Sequence, residues 1–475
     1  YDLMQEQQRY GIRFDVEGAK RLHKTIDDRM TELELEINPQ LPGRPLNRGE
    51  ISTWTPPKIQ FKKDGTPSAA CLNFFNIVYN GPEGWEGMLN NICVYLPHHE
   101  PLISSLPMEV RHQDALKKWL LEIGWKPTIW NYKAEATGTG KRRLVRDDKG
   151  RLINTTPKLH EKGRVCPGLS VLSEQMPLIK PVIEWLSLRN RRSTIWNEEK
   201  NTGWLSHPRL AHDGRLPAAS SGLTNTKRQK HTIVANVPRV GSIMGSEMRS
   251  LFRASEGMVM VGVDVKALEA CIKGHYTYPY DDGAYAKLLL DPTYDEHKIN
   301  AGLWDCSRDH AKSPGYALQY NCQPPKFAET LGVPLGVGKK HYEAYWAHNW
   351  SLKLAITEAE AEFDRNFQGY ITTIDGSKVV TRAKHSVFNA RCQSAGAKVV
   401  DMVGIIADKY IKTRGFPARR VIYYHDEYQY DCEPDSAEEL SKVLVDSIRL
   451  AGEYFNLNVP LTGTAKVGLS WAETH

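Results

Sequence analysis

The chain has 475 residues, 62 Lys and Arg against 56 Asp and Glu, a net charge of +6, 41% apolar and 25% charged side chains. That composition excludes a disordered or fibrous protein, and the length calls for about three domains or one large enzyme with subdomains around a cleft, since single cores stop growing at roughly 250 to 300 residues. No apolar run approaches the roughly 20 residues a bilayer span needs, no secretory segment opens the chain, and the scattered Cys71, Cys93, Cys166, Cys271, Cys306, Cys322, Cys392 and Cys432 form no Cys-x-x-Cys pair, so a soluble cytoplasmic protein with reduced thiols is expected.

Phe14-Asp15 precedes apolar Val16, Ala19, Leu22, Ile26, Met30 and Leu33, a spacing that predicts a long helix capped by Asp15. Residues 39–108 are rich in Pro and Gly without a sustained period and read as an irregular insert or small module. A helix over 113–123 ends at Gly124, and another covers 178–192. Two basic stretches flank that last helix. Lys126 to Arg164 carries 11 Lys and Arg against 4 acids, and His207 to Arg253 carries 8 against 2. Taking this excess of +13 from the total of +6 leaves −7 for the rest. Their Gly, Thr, Ser and Asn content suits loops or helix tips lying along a phosphate backbone, though either alone is better read as a solvated basic face.

Met258 to Asp264 predicts a short strand of β-branched residues ending in a carboxylate, and Arg420 to Asp431 a second strand-like run interrupted by His425, Asp426 and Glu427. Mostly helical segments lie between them. Asp264 and Asp426 on two strand tips can hold two divalent cations about 4 Å apart, the arrangement that clamps attacking and leaving oxygens in phosphoryl displacement, and magnesium suits such sparse carboxylates. Two Asp alone are also ordinary turn residues. Arg308, Lys312, Tyr316 and Tyr320 recur at intervals of four and share one helix face. Two cations one turn apart grip a triphosphate and an aromatic nearby lies against a base or sugar; an amphipathic surface helix has the same spacing.

Val263-Asp264-Val-Lys-Ala-Leu268-Glu269 resembles the palm motif of family A DNA polymerases, Arg308-x-x-x-Lys312-x-x-x-Tyr316 their fingers motif, and His425-Asp426-Glu427 their third motif, in matching order. Asn236-Val-Pro238, Asn389 and Gln393-Ser-Ala-Gly396 add to the likeness. Tyr10-Gly-Ile-Arg-Phe-Asp15, Gly124-Trp-x-Pro-Thr128, Asp375-Gly-x-Lys378 and the terminal Ser-Trp-Ala-x-x-His475 resemble the replicative polymerases of short-tailed bacteriophages in particular. The resemblance runs from about residue 3 to the end.

It implies an α+β right-hand fold: a helical thumb over 1–204 with an insert at about 55–108, an antiparallel-sheet palm over 205–273 and 389–475, and helical fingers over 274–388. It implies template-directed DNA synthesis in phage replication, with primer-template DNA and dNTPs as partners. Asp264, Asp426 and the backbone carbonyl of Val265 would hold two Mg²⁺ ions, with Mn²⁺ a substitute. Arg308, Lys312 and His297 would bind the triphosphate, Lys312 also giving a proton to pyrophosphate. Tyr316 would stack near the new base pair, implying ready use of dideoxynucleotides, and Glu269 would exclude a 2'-hydroxyl. Glu427, His425, Gln393, Asn389, Arg391 and Tyr320 would lie by primer or template, and so would the basic Lys227, Arg228 and Lys230.

Cys271 stands where the family has Arg and Ala317 where it has Gly, and Pro314 inside the fingers helix should kink it. Asp15-Val-Glu17 matches an exonuclease tripeptide but reads as a helix cap. A proofreading exonuclease is therefore expected upstream of Tyr1 or as a separate subunit, and the insert is expected to bind DNA or a processivity factor. No membrane partner is expected. Glu269 and Glu427 favour this reading over a single-subunit RNA polymerase. The intact Asp264, Asp426, Arg308 and Lys312 favour it over a non-catalytic nucleic-acid-binding replisome protein, and the triphosphate-gripping helix favours it over a metal nuclease.

Overall fold

A computed structural model describes the chain except for residues 1–3, 45–60, 76, 81–83, 90–91, 98–105, 137–141, 149–151, 162, 292, 320 and 382. It divides into two compact units, residues 23–193 and residues 1–22 with 194–475. The division falls inside helix α1 (Val16–Ile37). Asp15 accepts the Gly18 N–H at 2.7 Å, satisfying a donor of the first turn, and Glu17 pairs with Lys20 at 2.8 Å. Both carboxylates of the Asp-x-Glu tripeptide are thus spent on a helix start. The apolar stripe is buried at Ala19, Ile26, Met30, Leu33 and Ile37.

In the unit of residues 23–193, α1 is joined by α2 (Gln113–Glu122) and α3 (Ile179–Ile195). Arg29 of α1 meets Glu184 of α3 at 2.9 Å and the Trp185 indole donates to Glu34 at 3.0 Å, while Ile179, Val182 and Leu186 fill the core. The described part of the insert has regular structure, a helix over Ala69–Phe75 and an antiparallel sheet of Ile77–Asn80, Gly84–Leu89 and Ile92–Pro97; residues 45–60 and 98–105 lie outside the described residues. The first basic stretch forms exposed antiparallel strands, Ala134–Ala136 against Arg142–Leu144.

In the other unit, the second basic stretch also forms a hairpin, β1 (Ser220–Leu223) against β2 (Gln229–His231). Lys227 reverses the chain with a left-handed φ of +63°. There follow β3 (Val259–Val265), α4 (Leu268–Asp281), α5 (Ala284–Leu290), α6 (Glu296–Trp304), α7 (Arg308–Gln319), α8 (Trp350–Arg365), α9 (Val387–Arg414), β4 (Ala418–Tyr424), β5 (Glu427–Cys432), α10 (Ala437–Tyr454) and β6 (Gly463–Gly468). The expected interrupted strand over 420–431 is two strands: Tyr424 pairs with Glu427 and only His425-Asp426 lies between. His425, at a φ of +59°, makes so short a reversal possible.

The sheet is antiparallel in the order β4-β5-β3-β6. Both faces are covered, so β5 is buried throughout instead of alternating. Tyr423 and Tyr428 stack at 4.5 Å and donate to Asp401 and to the Val400 carbonyl of α9 at 2.9 and 2.7 Å. Leu440, Leu444, Ile448 and Ala451 form the buried stripe of α10, which packs on β3 and β6. Tyr424 turns the other way onto Trp471, where Phe14, Trp204, Phe252 and Trp471 meet edge to face at 5.0–5.7 Å. Helix α7 runs from Arg308 to Gln319 without a break, with Pro314 on its buried side. Among the described residues no helix is long and apolar enough to cross a membrane.

Burial raises the Asp401 carboxyl to about 6, against the opposing hydrogen bond from Tyr423. The folded state thus holds this proton more tightly than the unfolded chain, and the contribution to stability declines as pH rises from about 4 to about 6. Asp401→Asn keeps an acceptor for Tyr423 and removes the titration. The Tm of the wild type minus that of the variant should fall between pH 4 and 6 and stay level above 7; a difference that does not change with pH would count against the buried carboxylate.

Candidate active site

The register of β3 on β5 sets Asp264 opposite Glu427 and, on the other side, opposite Thr464 of β6. The Val265 N–H donates to the Asp426 carbonyl at 3.2 Å, so the turn bearing Asp426 closes over the end of the strand bearing Asp264. Beyond Val265 the chain turns sharply, Ala267 taking a φ of +50° ahead of α4. A β-carbon on Gly463 of β6 would stand 2.6 Å from the Asp264 carbonyl oxygen, so this close approach of strands needs glycine.

Asp264 is exposed and Asp426 partly so. The protein packed around Asp264 and the like charges of Asp426 and Glu427 raise its carboxyl to about 6, while His475 and Arg239 partly offset them. His425 packs on Tyr424 at 4.4 Å and on His231 at 5.6 Å. The basic β1–β2 hairpin therefore reaches the His425-Asp426 turn through His231. Burial, then the charge of Arg228, holds His425 below the ordinary histidine range; burial and His425 hold His231 at about 4.

Glu427 is only 3% exposed. It accepts from the Trp471 indole, from Gln429 at 2.6 Å and contacts His475 Nδ1 at 2.9 Å. Arg249, 2% exposed, approaches it at 3.7 Å, lies 4.1 Å from the Trp471 ring centroid and donates to the Pro238 carbonyl at 2.9 Å. The Asn236-Val-Pro238 segment and the terminal Ser-Trp-Ala-x-x-His motif thus meet on one buried carboxylate.

The second cluster lies on α7. Arg308, Lys312 and Tyr316 face solvent opposite buried Ala311, Pro314, Gly315 and Leu318. Arg308 donates to Asp295 at 2.6 Å, and Lys312 to Asp309 at 2.6 Å. Asp295 is also the N-cap of α6, accepting from the His297 and Lys298 N–H groups. His297 stands edge-on to Tyr316 at 5.4 Å, and burial holds it below the ordinary range. The two clusters are joined through α4: Glu269 lies in its first turn, and Lys273 one turn further on binds Glu296, the residue before His297.

On α9, Gln393 is partly buried and Asn389 has a buried Oδ1 without a hydrogen-bond partner among the described residues. Arg391 is buried, its guanidinium bound by Glu358 at 2.8 Å and by Glu362, both of α8. It joins two helices and presents no open guanidinium here. Lys227, Arg228 and Lys230 lie on the β1–β2 hairpin, and Tyr320 lies outside the described residues. Sequence reasoning missed Arg249, Arg239, His231, Lys273, Glu296 and Asp295. Asp295 carried the only local signal, an Asp two residues before a His at a helix start.

Among the described residues no group of three or more His, Cys, Asp or Glu side chains gathers as a ready-made metal cage. The open oxygens of Asp264 and Asp426, whose like charges oppose ionisation of Asp264, fit magnesium, which takes one or two carboxylates and completes its shell with water and phosphate.

Residues 167–473 match the model for DNA polymerase family A, and the chain belongs to that family. A DNA-directed DNA polymerase of Enterobacteria phage T3 is 24% identical over 395 residues, covering 76% of this chain and 52% of the relative. One of Escherichia phage T7 is 22% identical over 520 residues, covering 100% and 68%. The chain thus spans about half to two thirds of these relatives. The POL domain of Pol1 from M. smegmatis, solved in complex with DNA primer-template and dNTP, shares the fold with a TM-score of 0.64 at 16% identity, covering 99% of this chain and 69% of that one.

Glu427→Leu leaves Arg249 buried without its carboxylate, a change that costs about 3 to 5 kcal/mol for a buried pair. Asp426→Ala touches a half-exposed turn and should cost under about 1 kcal/mol. Urea unfolding of the two variants should separate them by at least about 2 kcal/mol; equal stabilities would remove Glu427 from the framework.

Proposed function

We propose that this chain is the polymerising part of a DNA-directed DNA polymerase acting in phage replication. It adds dNTPs to a primer 3' end opposite a template. The reading rests on one observation above the rest: Asp264 and Asp426 meet at the ends of adjacent strands beside an exposed basic hairpin. Residues 1–204 are assigned to the thumb with its insert, 205–273 and 389–475 to the palm, and 274–388 to the fingers. The insert takes a processivity factor, and proofreading belongs to a segment or subunit outside this chain.

The reaction is in-line attack of the primer 3'-oxygen on the α-phosphate with release of pyrophosphate. Asp264, Asp426 and the Val265 carbonyl would hold magnesium, which when bound would supply charge neutralisation at the phosphates. Arg308 and Lys312 grip the triphosphate as exposed cations one turn apart, with His297 beside them. Lys312 donates a proton to the leaving pyrophosphate, and Tyr316 stacks against the new base pair. Glu269, in the first turn after β3, excludes a ribose 2'-hydroxyl and so selects dNTPs over rNTPs. The β1–β2 hairpin, Gln393, Asn389 and His425 run along primer and template, where shape is read with little regard to sequence.

Primer extension with dNTPs, with rNTPs and with no nucleotide tests this directly: growth with dNTPs alone is expected, growth with rNTPs indicates an RNA polymerase, and shortening without nucleotide a nuclease. Asp264→Ala or Asp426→Ala should abolish extension while Tm and duplex affinity persist. Synthesis retained by either variant would falsify the assignment.

Replacing Lys227, Arg228 and Lys230 together by Ala should reduce the slope of log affinity against log salt by about 1 to 3, since each phosphate contact contributes about 0.9. An unchanged slope in a salt titration of primer-template binding places the duplex elsewhere.

A further inference from the structure

Glu296 opens α6, and its carboxylate is shared by three other helices. Lys273 of α4, with only 7% of its side chain exposed, donates to both oxygens at 2.7 and 2.8 Å. Tyr285 of α5 reaches one oxygen at 3.3 Å, and the Gln319 amide at the end of α7 donates to the other at 3.2 Å. The Lys273 ammonium also lies 4.6 Å from the Tyr285 ring centroid. Charge on charge in this buried setting keeps Glu296 ionised despite the opposing effect of burial.

A buried ion pair is weak evidence for stability, because apolar side chains of similar volume often do as well. What it adds is direction. Hydrogen bonds to a carboxylate fix one rotation of a helix, whereas apolar contacts tolerate sliding. Rotation is what matters at Glu296, because its two chain neighbours serve the nucleotide-facing surface: Asp295 holds Arg308 and His297 meets the Tyr316 ring. Successive residues on a helix are about 100° apart, so a one-residue slip of the first turn of α6 would take both neighbours off that surface.

We propose that Glu296, anchored by Lys273, is a positioning residue for the incoming nucleotide, and that Gln319 registers α7 against it. The network holds His297, Arg308 and Tyr316 in one arrangement relative to the start of α4, where Glu269 lies. This rests on the nucleotide-binding reading of Arg308, Lys312 and His297. Glu296 touches no reacting atom; it acts through its neighbours.

Gln319→Leu removes the tie to α7 and leaves the ion pair whole. Lys273→Met with Glu296→Leu removes both charges together, so neither is left buried alone. In single-nucleotide addition, each variant should raise KM for dNTP about tenfold with kcat within about twofold, and with Tm and primer-template affinity unchanged. Calorimetric titration with a dNTP should show the same loss in Kd. Unchanged KM and Kd in both variants would overturn the positioning role, and so would a loss of kcat and Tm in step without a change in dNTP affinity. A wild type that binds dNTP but never extends a primer sinks the polymerase reading alone, and Kd in the variants still decides this one.

Discussion

The pairing of Val259–Val265 with Glu427–Cys432 is the constraint on which the site depends. Because side chains alternate along a strand, sliding this pair by one residue would exchange every inward and outward position. Asp264 would then leave the open end of the sheet, and the two-residue turn would present Asp426 elsewhere. The register is held from both sides, by Tyr423 and Tyr428 against α9 and by Tyr424 against Trp471. On the β6 side, Gly463 allows the strand to close on the Asp264 carbonyl without a clash. The polar site is thus positioned by an apolar interior that takes no part in chemistry.

That register brings three carboxylates together, which is costly unless each is dealt with. Glu427 goes inward and is answered by a guanidinium and three hydrogen-bonding side chains. Asp264 and Asp426 stay at the surface, where water lowers the cost, with Arg239 as a nearby counter-charge for Asp264. The inward carboxylate is tied to the framework and the outward pair is left with oxygens for a cation. Neighbouring residues in one motif, Asp426 and Glu427, therefore do different work, because Asp426 lies in the turn between β4 and β5 while Glu427 is the first residue of the buried strand β5.

Most of the framework was legible from short-range patterns. The apolar stripe after Asp15, the β-branched run ending at Asp264 and the four-residue spacing from Arg308 each depend on neighbours a few positions apart, and each formed the element read from it. The basic stretches were legible as charge but not as hairpins, because Gly, Ser, Thr and Asn serve loops and turns alike. The run over 420–431 was read as one strand-like run interrupted by His425, Asp426 and Glu427, since Tyr recurs in both arms; the left-handed backbone at His425 makes the interruption a two-residue reversal between two strands. The partners of Glu427 and Glu296 were beyond reach. Arg249 and Trp471 lie far along the chain from Glu427, and a lone Lys at position 273 or Gln at 319 looks like any polar helix residue until folding brings it to a carboxylate.

On the polymerase reading, the ion pairs of α7 bear on how a nucleotide would enter. Arg308 and Lys312 are both engaged, by Asp295 and Asp309, yet their side chains are 44% and 41% exposed, and ion pairs this open contribute little. A triphosphate offers several charged oxygens in fixed geometry, so exchanging one weak carboxylate for it favours the ligand. Asp295 need not become an orphan when Arg308 leaves, because its other oxygen still caps α6 through the His297 and Lys298 N–H groups. On the polymerase reading, the carboxylates serve as placeholders that keep the two cations extended from one helix face, ready for exchange, while the buried tie at Glu296 keeps that face in register with the carboxylates of β3 and the β4–β5 turn.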